Sequence, residues 1–496
     1  MGNDGERSVG VLCYIAILRP MLRLAVIITA CMALSASART ADKIRVANTG
    51  PQSGHYLVWN DKPILLVGDS VTQGWMECGA HFDQTRYVDA LAARDLNLLM
   101  LWAFKGTNAQ RQRQDKRIAY DAPEIWPWAG SPDDGDFDLH RFNPAYFDRL
   151  SQLVAYAEQK GIVVLITVFD GWTKTCFDGH PFNHALGNGP LTDRSQFVTL
   201  ADYERELPAV FAPNWKREQR NQFFQERFCA QLIDALDGYS NVLYEMFNEG
   251  EWYDKAQRRQ HERHFLAFFR ARCANVLLSN SDHIAEDSPH DSAAIDVVSL
   301  HPSSWVGQFP RFAAGFVALP PKPYLCSEPV PEFDGQCPAL DDIRRSVWEI
   351  TLSGAGWVNQ NDPSFAWDDR TAMAARSAVR DRAYDVAGHC ARFFNRHGVR
   401  FWEMAPAGAL SSTGICLACP GSEYVIYAPA GGKFTVDLSG AESQQLMARW
   451  YDPRTGKFHA AEAMTGGNPV AACQAPFPGD AVLHLVAELA PRKRSP

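Results

Sequence analysis

Asn241-Val242-Leu243-Tyr244-Glu245-Met246-Phe247-Asn248-Glu249 is an apolar run that ends on a carboxylate, and Pro323-Tyr324-Leu325-Cys326-Ser327-Glu328 repeats the pattern. Each run has the length and character of a strand buried on both faces of a parallel sheet. A carboxyl group at the C-terminal tip of such a strand adds little to stability and is well placed for chemistry. Two of them in a chain that alternates strands with helices suggest a hydrolase working with paired carboxylates.

Working outward, Pro63–Asp69, Leu96–Trp102, Val163–Phe169 and Val242–Asn248 read as strands, continued by His283–Glu286, Val297–His301, Pro323–Glu328 and Gly356–Asn359. Helical segments lie between them. Asn143-Pro144 supplies an N-cap and a first-turn proline, Leu150, Val154 and Ala157 follow at helical spacing, and Gly161 stops the helix. Trp215–Leu236 and Lys255–Leu277 read as two longer helices. Eight strands separated by helices predict a (β/α)₈ TIM barrel over residues 43–405, in the α/β class. A doubly wound open sheet is the competing architecture. It wants a glycine-rich turn after the first strand, and Gly68-Asp69-Ser70-Val71-Thr72-Gln73-Gly74 lacks that spacing.

The texture changes after Ala405. Tyr424–Ala428, Lys433–Leu438, Leu446–Tyr451 and Ala481–Leu485 are short alternating runs parted by Gly, Pro and Asp turns. Residues 406–490 therefore read as a small β-sandwich without catalytic clusters, whose expected role is packing against the barrel.

The N-terminus has the form of an export signal. Arg19 and Arg23 precede the apolar run Leu24–Leu34, and Ala36-Ser37-Ala38 offers a cleavage site, so residues 1–38 are expected to be a signal peptide. Ile28-Thr29-Ala30-Cys31 also fits a lipoprotein box, which would leave a lipid anchor on Cys31. No later segment is long and apolar enough for a membrane span. The expected location is therefore periplasmic or secreted. Ten of the twelve cysteines lie beyond the leader, and buried thiols or disulfides both remain open. Cys416-Leu417-Ala418-Cys419 has metal-ligand spacing but no second pair of ligands nearby, so no metal or organic cofactor is expected. The net charge of -9 and the lack of any Lys/Arg cluster argue against nucleic acid as a partner. Fourteen tryptophans are many, and aromatic faces grip sugar rings, although at least half are expected in the core.

In a barrel of this kind the active site lies at the C-terminal strand ends. Asp69, Trp102, Asp170, Asn248, Glu249, His301, Glu328 and Trp357 all fall there. A helix-start carboxylate would account for Glu249 alone, and a loop ion pair for Glu328 alone. Both arising together, on the fourth and seventh strands, fits glycoside cleavage better. That reaction needs one carboxyl to protonate the leaving oxygen and another to attack or to activate water. Asn248 is placed to hold a sugar 2-hydroxyl, and Trp102, Trp172, Trp252 and Trp357 are candidate sugar platforms. Asp170, His301 and Asp69 complete the candidate binding set, with a turn Asp and a core histidine as bland rivals for the first two.

Asn248-Glu249 after strand four and Glu328 after strand seven resemble the pattern of glycoside hydrolase clan A. Within the clan the chain resembles bacterial barrel enzymes whose C-terminal domain is labelled "putative collagen-binding", apiosidases among their relatives. Leu65-Leu66-Val67-Gly68-Asp69-Ser70 and Trp450-Tyr451-Asp452-Pro453-Arg454-Thr455-Gly456 carry that likeness, which covers roughly residues 45–490. The resemblance implies a retaining enzyme with Glu249 as acid/base, Glu328 as nucleophile and a carbohydrate substrate. There are two departures: His301 stands where many members place a Tyr, and no Arg matches the one often found near the nucleophile.

Two other functions compete. Gly68-Asp69-Ser70 also resembles the nucleophile block of Gly-Asp-Ser serine esterases, with Asp287-Ser288-Pro289-His290 as a source of base, but that family's Gly-x-Asn-Asp block is absent. A carbohydrate-binding barrel without turnover is the other, and the intact glutamate pair speaks against it.

Overall fold

The computed structural model describes residues 42–71, 83–104, 125–131, 136–170, 217–248, 255–281, 292–302, 306–318, 320–327, 329, 339–361 and 374–487. In chain order a small antiparallel sheet comes first, formed by β1 (Arg45–Val46), β2 (Leu57–Trp59) and β3 (Lys62–Ile64). There follow β4 (Val67–Val71), α1 (Gln84–Ala92), β5 (Leu98–Trp102), the hairpin β6 (Trp128–Ser131) and β7 (Asp136–Phe142), α2 (Pro144–Gln159) and β8 (Val163–Asp170). The chain continues through α3 (Arg217–Leu236), β9 (Val242–Asn248), α4 (Lys255–Arg270), β10 (Val276–Leu278) and β11 (Val298–Leu300). Last in this region are α5 (Phe309–Phe316), β12 (Tyr324–Cys326), α6 (Leu340–Leu352), β13 (Gly356–Asn361) and α7 (Ala374–Arg396).

Eight of these strands form one parallel sheet in the order β10-β9-β8-β5-β4-β13-β12-β11. A parallel bridge between Leu278 and Val297 joins its two ends, so the sheet closes into a (β/α)₈ barrel. Strand alternation sorts the side chains. Leu66, Leu98, Met100, Leu165, Leu243, Leu278, Leu325 and Val358 fill the interior, where Ile44, Leu57 and Trp59 from the first hairpin join the cluster. Val67, Leu99, Leu101, Val164 and Ile166 face outward and pack on the helices. Asn143 Oδ1 accepts the N–H of Ala145 and caps α2, a contact of about 1 kcal/mol, while Gly161 takes φ +76 where the helix stops.

Three expectations need correction. The fifth barrel strand is Val276–Leu278, not His283–Glu286, which lies outside the described residues. The expected helix Lys255–Leu277 ends at Arg270 instead. A three-residue apolar run after a helix extends the helical pattern equally well, so periodicity does not separate the two. Likewise Pro63 belongs to the antiparallel hairpin, and the first barrel strand starts at Val67.

From Ala405 onward the chain is β-rich. β14 (Ala405–Pro406), β15 (Cys416–Cys419), β16 (Glu423–Ala428), β17 (Lys433–Val436), β18 (Gln445–Asp452), β19 (Lys457–Phe458), β20 (Glu462–Thr465), β21 (Ala471–Gln474) and β22 (Ala481–Ala487) make two layers. The large sheet runs β14-β15-β16-β22-β18-β19, with β20 also on β18, and β17–β21 is the small one. Tyr424, Ile426, Leu446, Ala448, Leu483 and Leu485 pack toward the small sheet with Phe434 and Val436. The intervening residues Val425, Tyr427, Tyr451 and Val482 belong to the same core as the barrel helices. Trp348 of α6 stacks on Tyr427 at 6.1 Å, and Phe393 of α7 meets Tyr451 at 5.0 Å. Arg344 of α6 pairs with Asp480, and Arg400 with Glu423, which also takes His484 Nε2 at 2.7 Å. The sandwich thus packs part of the outer face of its large sheet on the barrel.

Candidate active site

Asn248 is the last residue of β9, the fourth barrel strand, and Ser327 directly follows β12, the seventh. Both are buried. Asn248 Oδ1 accepts the hydroxyl of Ser281 at 2.9 Å, across a parallel bridge between the two residues. Ser327 Oγ lies 3.0 Å from Ser299 Oγ, and its N–H bonds Leu300 O, so the tip of strand seven is tied to strand six. The next residue along the chain after each tip is a glutamate, Glu249 and Glu328. These two, with Trp172 and Trp252, lie outside the described residues, as does the side chain of Asp170 at the end of β8.

Just below these tips the interior turns polar. Trp102, Thr167, Glu245 and Leu278 are partners in register on four successive strands. Thr167 Oγ1 donates to Glu245 Oε2 at 2.9 Å, and both side chains are fully buried. Trp102 is 1% exposed and packs with Leu98, Met100 and Leu165 inside the barrel. His301, one residue beyond β11, is fully buried. The loop that follows it is held by Glu349 of α6, whose Oε2 accepts the N–H groups of Gly307 at 2.5 Å and Gln308 at 3.0 Å. Glu349 thereby caps the start of α5 from a neighbouring helix.

Two candidates do not face the mouth. Trp357 is fully buried among the helices, and its indole N–H donates to Ser346 Oγ of α6 at 3.0 Å, so it is no sugar platform. Asp69 turns outward as well. Its Oδ2 accepts the phenols of Tyr87 on α1 (2.7 Å) and Tyr384 on α7 (2.6 Å), and its Oδ1 accepts Asn359 Nδ2 of β13 at 2.7 Å. The carboxylate joins the first strand to the eighth and to two helices instead of meeting substrate. Burial, reinforced by the Asp69 charge, pushes the Tyr87 phenol well above its ordinary range, so it stays a donor.

The hydroxyl of Ser70 is buried and donates to Asn359 O at 3.1 Å, so it is held in the seam between the same two strands. Asp287 and His290, its suggested partners, lie outside the described residues. Cys416 and Cys419 are unpaired thiols, as are Cys229, Cys273, Cys326, Cys390 and Cys473. Among the described residues no cluster of His, Cys, Asp or Glu could hold a metal ion. Of the fourteen tryptophans, Trp59, Trp102, Trp126, Trp128, Trp348, Trp357 and Trp450 are buried, which places half of them in the core as expected.

No motif in the sequence marks Glu245, Thr167 or Ser281. Glu245 left a signal: a charged residue in the middle of an otherwise apolar strand has to be paired or functional.

Comparison with known proteins agrees with this architecture. Residues 411–483 match the family model described as "Putative collagen-binding domain of a collagenase". A solved structure described as a glycoside hydrolase has 13% identity and a TM-score of 0.63, covering 90% of this chain and 97% of its own. A glycoside hydrolase family 5 protein from Bacteroides vulgatus ATCC 8482 also has 13% identity and a TM-score of 0.63, covering 90% of this chain and 93% of its own. At this identity the likeness establishes a shared fold, barrel and sandwich together. No curated protein matches the sequence.

Proposed function

We propose that the chain is an exported glycoside hydrolase that cleaves a poly- or oligosaccharide with retention of configuration. The observation that carries this reading is the place of Asn248 and Ser327. They stand at the C-terminal tips of the fourth and seventh strands of a closed parallel barrel, each directly before a glutamate. The fold shared with two glycoside hydrolases over nine-tenths of the chain supports it.

In the proposed reaction the Glu249 carboxyl gives its proton to the glycosidic oxygen as the Glu328 carboxylate attacks the anomeric carbon. The bond to the leaving group breaks and a glycosyl ester forms on Glu328. Water then attacks the same carbon, Glu249 takes its proton, and the ester opens to restore Glu328. Asn248 holds the sugar 2-hydroxyl, a contact that strengthens in the transition state. Export rests on the leader in residues 1–38.

The test is a panel of aryl glycosides and plant polysaccharides, with Glu249→Gln and Glu328→Gln as controls. Turnover should fall by at least about a thousandfold in both, and NMR of the first-formed sugar should show retained configuration. Activity that survives both substitutions, or an inverted product, refutes the assignment. The esterase reading draws no support from Ser70, which is buried and bonded to a backbone carbonyl; a fluorophosphonate should leave it unlabelled.

A further inference from the structure

We infer that Ser279 is a positioning residue whose hydroxyl closes the barrel wall between the two strands that lead to Glu249 and Glu328. This rests on the glycosidase reading and deepens it. Round the wall from strand four to strand seven lie β10 and β11, and among the described residues these two pair only at the Leu278–Val297 bridge. That bridge has both its rungs: Val297 N–H bonds Leu277 O at 3.2 Å, and Ser279 N–H bonds Val297 O at 3.0 Å. Were the parallel ladder to continue, Ser299 N–H would bond Ser279 O and Ser281 N–H would bond Ser299 O. Strand five leaves the ladder instead. Ser281 N–H bonds Phe247 O of β9 at 3.0 Å, and Asn280 N–H is held by Glu262 Oε1 of α4 at 3.1 Å.

The Ser279 hydroxyl stands in for the missing rungs. Ser299 N–H donates to Ser279 Oγ at 2.9 Å, and Ser299 O and Asn280 O each lie 3.3 Å from the same oxygen. A backbone N–H can only donate, so the sense of the first bond is fixed. Both serines are fully buried, and alanine at 279 would take this acceptor from a buried N–H. From the seam the contacts reach both strand tips. Ser299 Oγ lies 3.0 Å from Ser327 Oγ, directly before Glu328, and Ser281 is bridged to Asn248, directly before Glu249. Ser279 thus joins the two halves of a wall that sets how far apart strands four and seven stand. Retention needs the two carboxyls roughly 5–5.5 Å apart, a range at which the Glu328 charge also helps to keep Glu249 protonated.

The test compares the unmodified protein, Ser279→Ala and Ser279→Thr, with Asp480→Ala, which breaks a buried ion pair at the sandwich, as the control for lost stability alone. Hydrogen exchange of the Val298–His301 segment, read by mass spectrometry, should quicken in Ser279→Ala beyond the control. On an aryl glycoside that the panel shows to be turned over, Ser279→Ala should lower kcat between about ten- and a hundredfold with KM little changed, the effect of a misplacement of about 1 Å. Parting the carboxyls from about 5.5 to about 6.5 Å, at an effective dielectric constant of about 20, weakens their repulsion and lets Glu249 lose its proton at lower pH. The alkaline limb of kcat/KM should therefore move down by about 0.3 pH unit. Ser279→Thr, which keeps the hydroxyl, should restore both rate and limb, and Asp480→Ala should move neither. If Ser279→Ala does not fold, Ser279→Cys, similar in size with a weaker acceptor, carries the same comparison. Exchange no faster than in the control, or an alkaline limb that stays in place or rises, overturns the role of Ser279 alone. An unmodified chain that turns over no glycoside overturns the glycosidase reading, and the positioning role falls with it.

Discussion

Removing Asp480 tests whether barrel and sandwich unfold as one body. Its carboxylate takes Arg344 Nε at 2.7 Å and Nη2 at 2.8 Å, a two-pronged pair, and the phenol of Tyr427 at 2.8 Å. The side chains of Arg344 and Asp480 are 9% and 4% exposed. Breaking a buried pair by deleting one partner costs about 3–5 kcal/mol, because a charge is left without compensation. Arg344 keeps Asp341 at 2.9 Å, but that carboxylate is 84% exposed, so the cost of Asp480→Ala should fall near 3 kcal/mol. For a chain of this size the unfolding entropy is close to 1 kcal/mol per kelvin, which converts the loss to a fall of roughly 3 °C in Tm. Since Tyr427, Tyr451 and Val482 share one core with α6 and α7, calorimetry should show one transition, shifted as a whole. The double variant Arg344→Met, Asp480→Leu should regain most of the loss, since an apolar pair of similar volume avoids desolvating charge. Two separate transitions, with the barrel's unmoved by Asp480→Ala, would refute the reasoning.

Other consequences are equally direct. A Cβ on Gly68 would lie 1.9 Å from the carbonyl oxygen of Leu98, so Gly68→Ala should force β4 off β5 and yield insoluble or unfolded protein in an expression assay. His261 sits among Phe169, Phe247 and Phe265, and burial holds its imidazole well below the ordinary range. Above pH 6.5 both folded and unfolded states are neutral there, and below it the unfolded chain takes a proton that the folded one refuses. Stability in urea should therefore fall with pH below 6.5, by up to about 1.4 kcal/mol per unit from this group, and His261→Gln should remove that slope. Burial raises the thiols of Cys229, Cys326, Cys390 and Cys416, the last to about 12, so none should react with Ellman's reagent at pH 8 in the folded protein. After denaturation at least the seven thiols described should titrate without prior reduction.

The barrel was legible because Val163–Asp170 and Val242–Asn248 are long apolar strands that no amphipathic helix would tolerate. Val276–Leu278 was not, since three apolar residues after Phe265, Leu266 and Phe269 prolong the helical stripe of α4 as well as they begin a strand. The misplaced site residues have one shared cause. A strand buried on both faces fixes a residue's height in the barrel but conceals which face it takes. Asp69 and Trp357 stand at the right height, yet they alternate with Gly68 and Val358 and so turn to the helices.

A polarity gradient along the barrel axis supplies the missing sense of direction. On strand after strand an inward apolar residue is followed, two positions later, by a polar one: Leu165 by Thr167, Leu243 by Glu245, Val297 by Ser299, Leu325 by Ser327. All four polar side chains are fully buried. Burying a hydroxyl or carboxylate costs free energy unless it is paired, so stability alone would favour apolar residues at every level. These groups answer that cost partly with one another, Thr167 with Glu245 and Ser299 with Ser327. Such pairing recovers the expense without explaining why it was incurred at this end of the barrel on four strands. A polar ligand held just beyond Asn248 and Ser327 would explain it, because the layer beneath a sugar must orient the groups that grip it. The same period-two pattern, read along the four strands together, marks the mouth from sequence without any catalytic motif.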